Sequence, residues 1–342
     1  MANGEAPAAE GMWRWLSRLP VKPPITYPLP VGGTPLIAPP GLRGDLGLDL
    51  WLKDETRGPT ASNKDRATAL VLQQALAQGM ETVSCASTGN VAVSLSVGAA
   101  AAGLRAVIFV PPAIDGHKLA LMRLAGATVV KVREGYAAAF ELSRRAAEAF
   151  GWCDRNTGIN PLTVEAKKTV AFEVWEQLGC TMPDVVVAPV GDGVTLAALG
   201  RGFGELVAGS GPGSRVPRLI GVQAAGADPV RRAWAAGADQ IEPVDADTIA
   251  DGIAVGAPIF GAQALAAVRR SGGGFVAVSD DDLLAAMRRL ASRAGLLAEP
   301  AGAAALAGVA PALAEGLIEP GERVVALVTG SALKSPSFVA AA

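Results

Sequence analysis

Residues Thr56 to Arg66 read Thr-Arg-Gly-Pro-Thr-Ala-Ser-Asn-Lys-Asp-Arg and place a lysine where a loop turns into a helix. Gly58 and Pro59 break regular structure. Ser62 or Asn63 stands where a cap is needed, and Ala67, Leu70, Val71 and Ala75 recur at helical spacing up to Gly79. An ammonium in a first helical turn meets the positive end of the helix dipole, which disfavours its charge. Lys64 therefore suits an amine that is neutral or joined in a Schiff base. On this stretch alone, an ordinary first-turn lysine is an equally good reading.

Three further loops carry polar groups beside predicted strands, where ligands of open α/β sheets bind. Ala86-Ser87-Thr88-Gly89-Asn90 offers hydroxyls and helix-start amides to an anion such as a carboxylate, or is a plain capping turn. Gly191-Asp192-Gly193-Val194-Thr195 opens an apolar helix; its glycines let the backbone approach a phosphate, and its amides can hold one. It matches neither a P-loop nor a dinucleotide fingerprint. Thr329-Gly330-Ser331 follows the last predicted strand. The sole histidine, His117, argues against a Ser-His-Asp triad and against a His-based metal site. Acid-base chemistry then falls to lysine, carboxylate or a cofactor.

The elements that must position these loops alternate. Short apolar runs at Val83–Ala86, Ala106–Val110, Thr128–Val132, Val185–Ala188, Leu219–Val222, Phe275–Val278 and Val324–Val328 read as buried strands. Helical stretches lie between them, closed by glycines such as Gly103 and Gly126. The fold class is α/β, with parallel sheets covered on both faces. Residues 1–45 read as a Pro/Gly-rich arm anchored by Met12 to Leu16, 155–161 as a crossing between two blocks, 209–214 as a surface loop and 237–258 as an irregular segment bordering a cleft.

A net charge of −2 with interspersed signs argues against a nucleic-acid partner. Glu5 and Glu10 stand where a signal peptide would be basic, and the most apolar window, Val97 to Ile114, is broken by Arg105 and Pro111-Pro112, so no membrane partner is expected. Cys85, Cys153 and Cys180 are too scattered for a disulfide framework and point to a reducing, cytoplasmic setting.

Taken in order, these motifs resemble the fold-type II pyridoxal phosphate enzymes, most closely the threonine synthases. The resemblance rests on Gly32 to Leu36, Pro59 to Arg66, Ala86 to Asn90, Asn160-Pro161 with Glu165 to Thr169, the Gly191 loop, Ala298 to Ala303 and Thr329-Gly330. It implies two α/β domains with the site between them: 1–50 with 156–342 as the larger, cofactor-binding one, and 51–155 as the smaller. It implies pyridoxal 5′-phosphate on Lys64, with Asn90 at its phenolic oxygen, Gly191, Asp192, Gly193, Val194 and Thr195 at its phosphate, and Thr329 at its ring nitrogen. Ser87, Thr88, Gly89, Asn160 and Thr163 would bind an amino-acid substrate, and a homodimer is the implied assembly.

Members of the family often read Ser-Val-Asn-Pro-x-Arg, whose serine and arginine hold the phosphate of O-phosphohomoserine. Here Gly158 and Thr163 stand in those places, and Lys167 or Lys168 is a nearby cation. Two enzymatic readings follow. One is γ-elimination of O-phosphohomoserine with β-hydration to threonine, or the same chemistry on a variant substrate. The other is β-elimination or β-replacement of the serine/threonine dehydratase or cysteine/cysteate synthase kind. A non-catalytic α/β binding protein is the third reading, and Lys64 counts against it.

Overall fold

Each apolar run read as a strand is one, and each has parallel neighbours. The computed structural model describes residues 10–209 and 215–334. Residues 1–9 of the arm and 210–214 of the expected surface loop lie outside them. Strands β1 (Leu36–Ile37) and β2 (Asp49–Asp54) precede β3 (Thr82–Ala86), β4 (Arg105–Val110), β5 (Thr128–Lys131) and β6 (Cys153–Asp154). After these come β7 (Val185–Pro189), β8 (Arg218–Ala224), β9 (Gly274–Val278) and β10 (Arg323–Val328). A six-stranded sheet has the order β1-β2-β10-β7-β8-β9, and a four-stranded sheet the order β5-β4-β3-β6. Among the strands of the described residues, only β1 and β2 pair antiparallel. Residues 51–54, expected with the smaller unit, complete β2 of the six-stranded sheet, where Val328 is in register with Asp54.

The side-chain period of two explains how one apolar run buries both faces. In β7, Val185 and Val187 join one core with Leu50, Leu52, Val324 and Ala326. Val186 and Ala188 join the opposite core with Val325, Leu327 and Phe203. The four-stranded sheet divides likewise, Val83, Cys85 and Ile108 on one side and Ala86 and Phe109 on the other. Each fully buried Val or Leu contributes about 1.5–3 kcal/mol to this association.

Helices between the strands are α1 (Pro40–Leu46), α2 (Lys64–Ala77), α3 (Asn90–Ala101), α4 (Gly116–Leu124), α5 (Tyr136–Phe150), α6 (Leu162–Lys167) and α7 (Thr169–Gln177). The second half adds α8 (Val194–Ala208), α9 (Pro229–Ala235), α10 (Gly261–Ser271), α11 (Asp280–Ala294), α12 (Pro300–Ala307) and α13 (Val309–Ala314). Val97 to Ile114 resolves into the end of α3, a turn and β4, and no helix among the described residues is long and apolar enough to cross a membrane. Lys64 does open α2, but neither expected cap acts as one. The Ser62 hydroxyl has no partner, and the Asn63 side chain serves the site described below.

A neutral cluster of four buried charges fixes α2 in place. Arg66 grips two carboxylates with both edges of its guanidinium: Nε and Nη2 donate to Glu55 (2.7 Å each), and Nη1 and Nη2 to Glu173 (2.6 and 2.8 Å). Lys53, from β2, donates to Glu173 Oε2 (2.7 Å) and to the Thr34 carbonyl (2.6 Å). The N-terminal arm closes the cluster through the Thr34 hydroxyl on Glu55 (2.6 Å) and the Gly33 amide on Glu173 (2.9 Å). Burial alone would raise the Glu173 pKa; Arg66 and then Lys53 outweigh it and hold the carboxyl well below the usual range.

Removing one partner leaves buried charge uncompensated, which costs about 3–5 kcal/mol. Glu173→Ala is therefore expected to lose about that much stability in urea denaturation at neutral pH. Because the folded pKa is depressed, the Glu173 contribution is fully present above the ordinary glutamate range and fades as pH falls from that range toward the depressed folded value. The variant's deficit should shrink accordingly in acid. An unchanged midpoint at neutral pH would show that the cluster does not anchor α2.

Candidate active site

Four loops at the carboxyl ends of β2, β3, β7 and β10 meet around the head of α2. The loop carrying Lys64 is stitched to the one after β10: the Asn63 amide donates to the Thr329 carbonyl (2.9 Å), and the Ser331 amide to the Ala61 carbonyl (3.0 Å). Lys64 Nζ donates to Asn63 Oδ1 (3.0 Å), whose Nδ2 in turn faces Thr195 Oγ1 (3.4 Å). The amine therefore sits beside the loop of residues 191–195. Burial lowers the Lys64 pKa to about 8; Glu299 pulls the other way, and Arg155 and Lys334 add to the fall.

The loop after β7 is shaped by what it cannot hold. Gly193 adopts φ +92°, and a Cβ there would lie 2.6 Å from the Phe260 carbonyl oxygen. The backbone is thus pressed on residues 252–260 while the first-turn amides of α8, which lack intrahelical acceptors, are left to a ligand. Asp192 contributes its backbone here. Its Oδ1 accepts from the Ile259 amide (2.7 Å), and burial raises its pKa to about 6 against the pull of that amide and of Lys167.

On the opposite side, Asn90 Nδ2 donates to Glu299 Oε1 (2.6 Å). Asn90 Oδ1 and Glu299 Oε2 are buried without a partner. Gly330 packs so tightly on Glu299 that any side chain would collide with the carboxyl. Burial raises the Glu299 pKa, with Lys334 opposing. Ser87, Thr88 and Gly89 form the half-buried turn between β3 and α3, and no side chain caps α3.

The chain matches the family model described as "Pyridoxal-phosphate dependent enzyme" over residues 27–330. It is 37% identical over 330 residues to a threonine synthase of Methanocaldococcus jannaschii, covering 95% of this chain and 81% of that protein. Against a threonine synthase of Mycobacterium leprae the identity is 38% over 324 residues, with 93% and 87% covered. The chain belongs to the pyridoxal-phosphate-dependent enzymes. Among solved structures, a threonine deaminase of T.th. superposes with TM-score 0.72 and 29% identity over 87% of this chain and 92% of that one. A diaminopropionate ammonia lyase from Escherichia coli shares the fold with TM-score 0.77 at 21% identity, over 96% and 89%.

The cofactor of a pyridoxal-phosphate-dependent enzyme fits the groups found here. The family requires an amine, a phosphate cradle and polar partners for a heteroaromatic ring. Lys64, the 191–195 backbone and the unpartnered acceptors of Asn90 and Glu299 stand together. Buried acceptors without donors are rare in finished structures and mark where a ligand belongs.

Two residues expected to bind substrate are turned to their own backbone. Asn160 spends its amide on its own turn, Nδ2 donating to the Asp154 carbonyl (2.8 Å) and Oδ1 accepting from the Leu162 amide (3.0 Å). Thr163 is fully buried, and its hydroxyl donates to the Asn160 carbonyl (2.8 Å). Conversely, Glu299, Arg155 and Asp251 had no expected role. Glu299 has a visible signal, as the one charge between Leu296-Leu297-Ala298 and Pro300 to Ala303. Arg155 and Asp251 have none, because only the fold brings them near Lys64.

An amine with a pKa of about 8 becomes a nucleophile as pH rises through that value. The rate at which apoenzyme incorporates pyridoxal phosphate should climb up to about pH 8 and level off above it. Stopped-flow absorbance measures this; a rate still rising steeply in the ordinary lysine range would mean an unperturbed amine.

Proposed function

We propose that the protein is a threonine synthase, converting O-phosphohomoserine and water to threonine and phosphate. The observation that carries the reading is similarity to threonine synthases across nearly the whole chain, with Lys64 at the head of α2 beside the phosphate cradle. Residues 1–50 with 156–342 would form the larger domain and 51–155 the smaller, apart from the β2 residues. The three free cysteines are consistent with a cytoplasmic enzyme, and a homodimer is the proposed assembly, testable by sedimentation.

Bound pyridoxal phosphate supplies an electron sink for charge that develops at the substrate's α-carbon. The chain supplies the rest. Lys64 would anchor the cofactor and would take and return protons at the substrate carbons, which its depressed pKa permits near neutrality. The amides from Gly191 to Thr195 would hold the cofactor's phosphate, Asn90 its phenolic oxygen and Thr329 its ring nitrogen through a neutral hydroxyl. Ser87, Thr88 and Gly89 receive the substrate carboxylate at the head of α3. Over the whole reaction one Cα and one Cβ proton leave, the Cγ–O bond to phosphate breaks, hydroxyl from water joins Cβ, protons return to Cα and Cγ, and the water's remaining proton goes to the departing phosphate.

The second reading, β-elimination on serine or threonine, draws on the threonine deaminase likeness and on the threonine that stands at position 163 in place of an arginine. Purified holoenzyme given O-phosphohomoserine should release threonine and phosphate in equal amounts. Keto acid and ammonia from serine or threonine, with no threonine from the phosphorylated substrate, would transfer the assignment to the second reading. Lys64→Ala should abolish either activity; turnover at the wild-type rate in that variant would remove Lys64 from the mechanism.

A further inference from the structure

Two buried cations near the head of α2 form no ion pair among the described residues, and the nearby carboxylates of Asp65, Asp192 and Glu299 do not contact them. Lys53, Arg66, Lys118 and Lys168 are buried cations, and each has a carboxylate partner. Arg155 and Lys167 are equally buried, yet neither forms an ion pair among the described residues. Arg155 donates only to neutral oxygens: Thr68 Oγ1 (3.2 Å), Thr157 Oγ1 (3.0 Å) and the Lys64 carbonyl (3.4 Å). Lys167 Nζ donates to Thr195 Oγ1 (3.2 Å) at the end of the cradle. A buried cation without a counter-charge is costly, and an anionic ligand removes that cost.

The placement on α6 says which anion. Thr163 and Lys167 lie four residues apart and so share one helix face. Position 163 is where the resembled family carries a phosphate-holding arginine; here Thr163 is turned to its own backbone. Lys168 does not replace that charge, being held by Glu165 (2.7 Å) and Glu205 (2.8 Å). Lys167 is left one turn along the same face, facing Thr195. Burial, with Lys64 and Arg155 close by, pushes its pKa well down, and a bound dianion would restore its charge.

We propose that Lys167, backed by Arg155, forms the subsite for the substrate's own phosphate, taking over a function the chain no longer has at position 163. Assigning the anion to the substrate rests on the threonine synthase reading; an anion subsite at Lys167 does not. Because Thr195 also borders the cradle, the cofactor's phosphate is the other anion that could claim this ammonium, and the two sources must be told apart.

The test is titration of inorganic phosphate into wild-type, Lys167→Gln and Lys167→Arg holoenzymes, read from the bound cofactor's absorption, with cofactor retention followed by dialysis. Wild type should bind phosphate competitively with O-phosphohomoserine. Lys167→Gln should weaken phosphate about tenfold to a hundredfold, the loss of one charge-assisted hydrogen bond, while retaining the cofactor. Lys167→Arg should keep most of the phosphate affinity. Failure of wild type to bind phosphate would overturn the proposal whether or not the variants fold. So would a Lys167→Gln protein that loses cofactor but binds phosphate normally. Lys167-dependent phosphate binding without turnover of O-phosphohomoserine would uphold the subsite and overturn the threonine synthase reading instead.

Discussion

The guanidinium of Arg66 is the interaction on which the rest hangs. Two residues before it on the same helix is Lys64, so whatever fixes Arg66 fixes the amine. Its two carboxylates come from different parts of the chain, Glu55 just after β2 and Glu173 on α7, and Lys53 ties Glu173 back to β2. A single hydrophobic contact could slide by about an ångström without much loss. Two bidentate ion pairs in a dry interior cannot, because their geometry is as directional as their energy is large. The N-terminal arm, which carries no chemistry, shares in this through Thr34 and Gly33.

Beyond that anchor, the site is a meeting of opposite requirements. In its proposed role the 191–195 loop presents amides to an anion, while its back is pressed on the 252–260 segment. Asp192 looks misplaced in an anion cradle, but its carboxyl is drawn off by the Ile259 amide and braces the loop from behind. On the ring side, Gly330 has no side chain so that Glu299 can lie against it and reach Asn90. Lys64, Arg155 and Lys167 bring three cationic side chains to the centre, among the carboxylates of Asp65, Asp192 and Glu299.

How much of this could be read beforehand depended on whether a residue's environment is local. The seven apolar runs became strands because a buried parallel strand needs little beyond apolar side chains. Strand β2 did not show itself: Asp49, Lys53 and Asp54 interrupt its apolar pattern, and Lys53 meets its partner Glu173 only in the folded chain. Strands β1 and β6, two residues each, are too short to show any period. The capping roles expected of Ser62 and Asn63 failed for a related reason, since Asn63 was claimed by Lys64 and Thr195. The glycine-rich and hydroxyl-rich loops were legible because they announce themselves by composition. The inward turn of Thr163 and the unpaired state of Lys167 were not, because both depend on which neighbours the folded chain supplies.

Strand order carries a consequence for how the molecule is made. Strand β10, close to the end of the described chain, lies between β2 and β7, so the six-stranded sheet is divided until β10 inserts. The Lys64 loop is held by Thr329 and Ser331, which follow that strand. Such contacts span most of the chain and close late, since long loops must be ordered before they are rewarded. During synthesis the four-stranded sheet, built from residues 82–154, can assemble early, but the lysine's surroundings must wait for the last strand to leave the ribosome. A nascent chain of this protein thus carries a completed framework for some time before it carries a site.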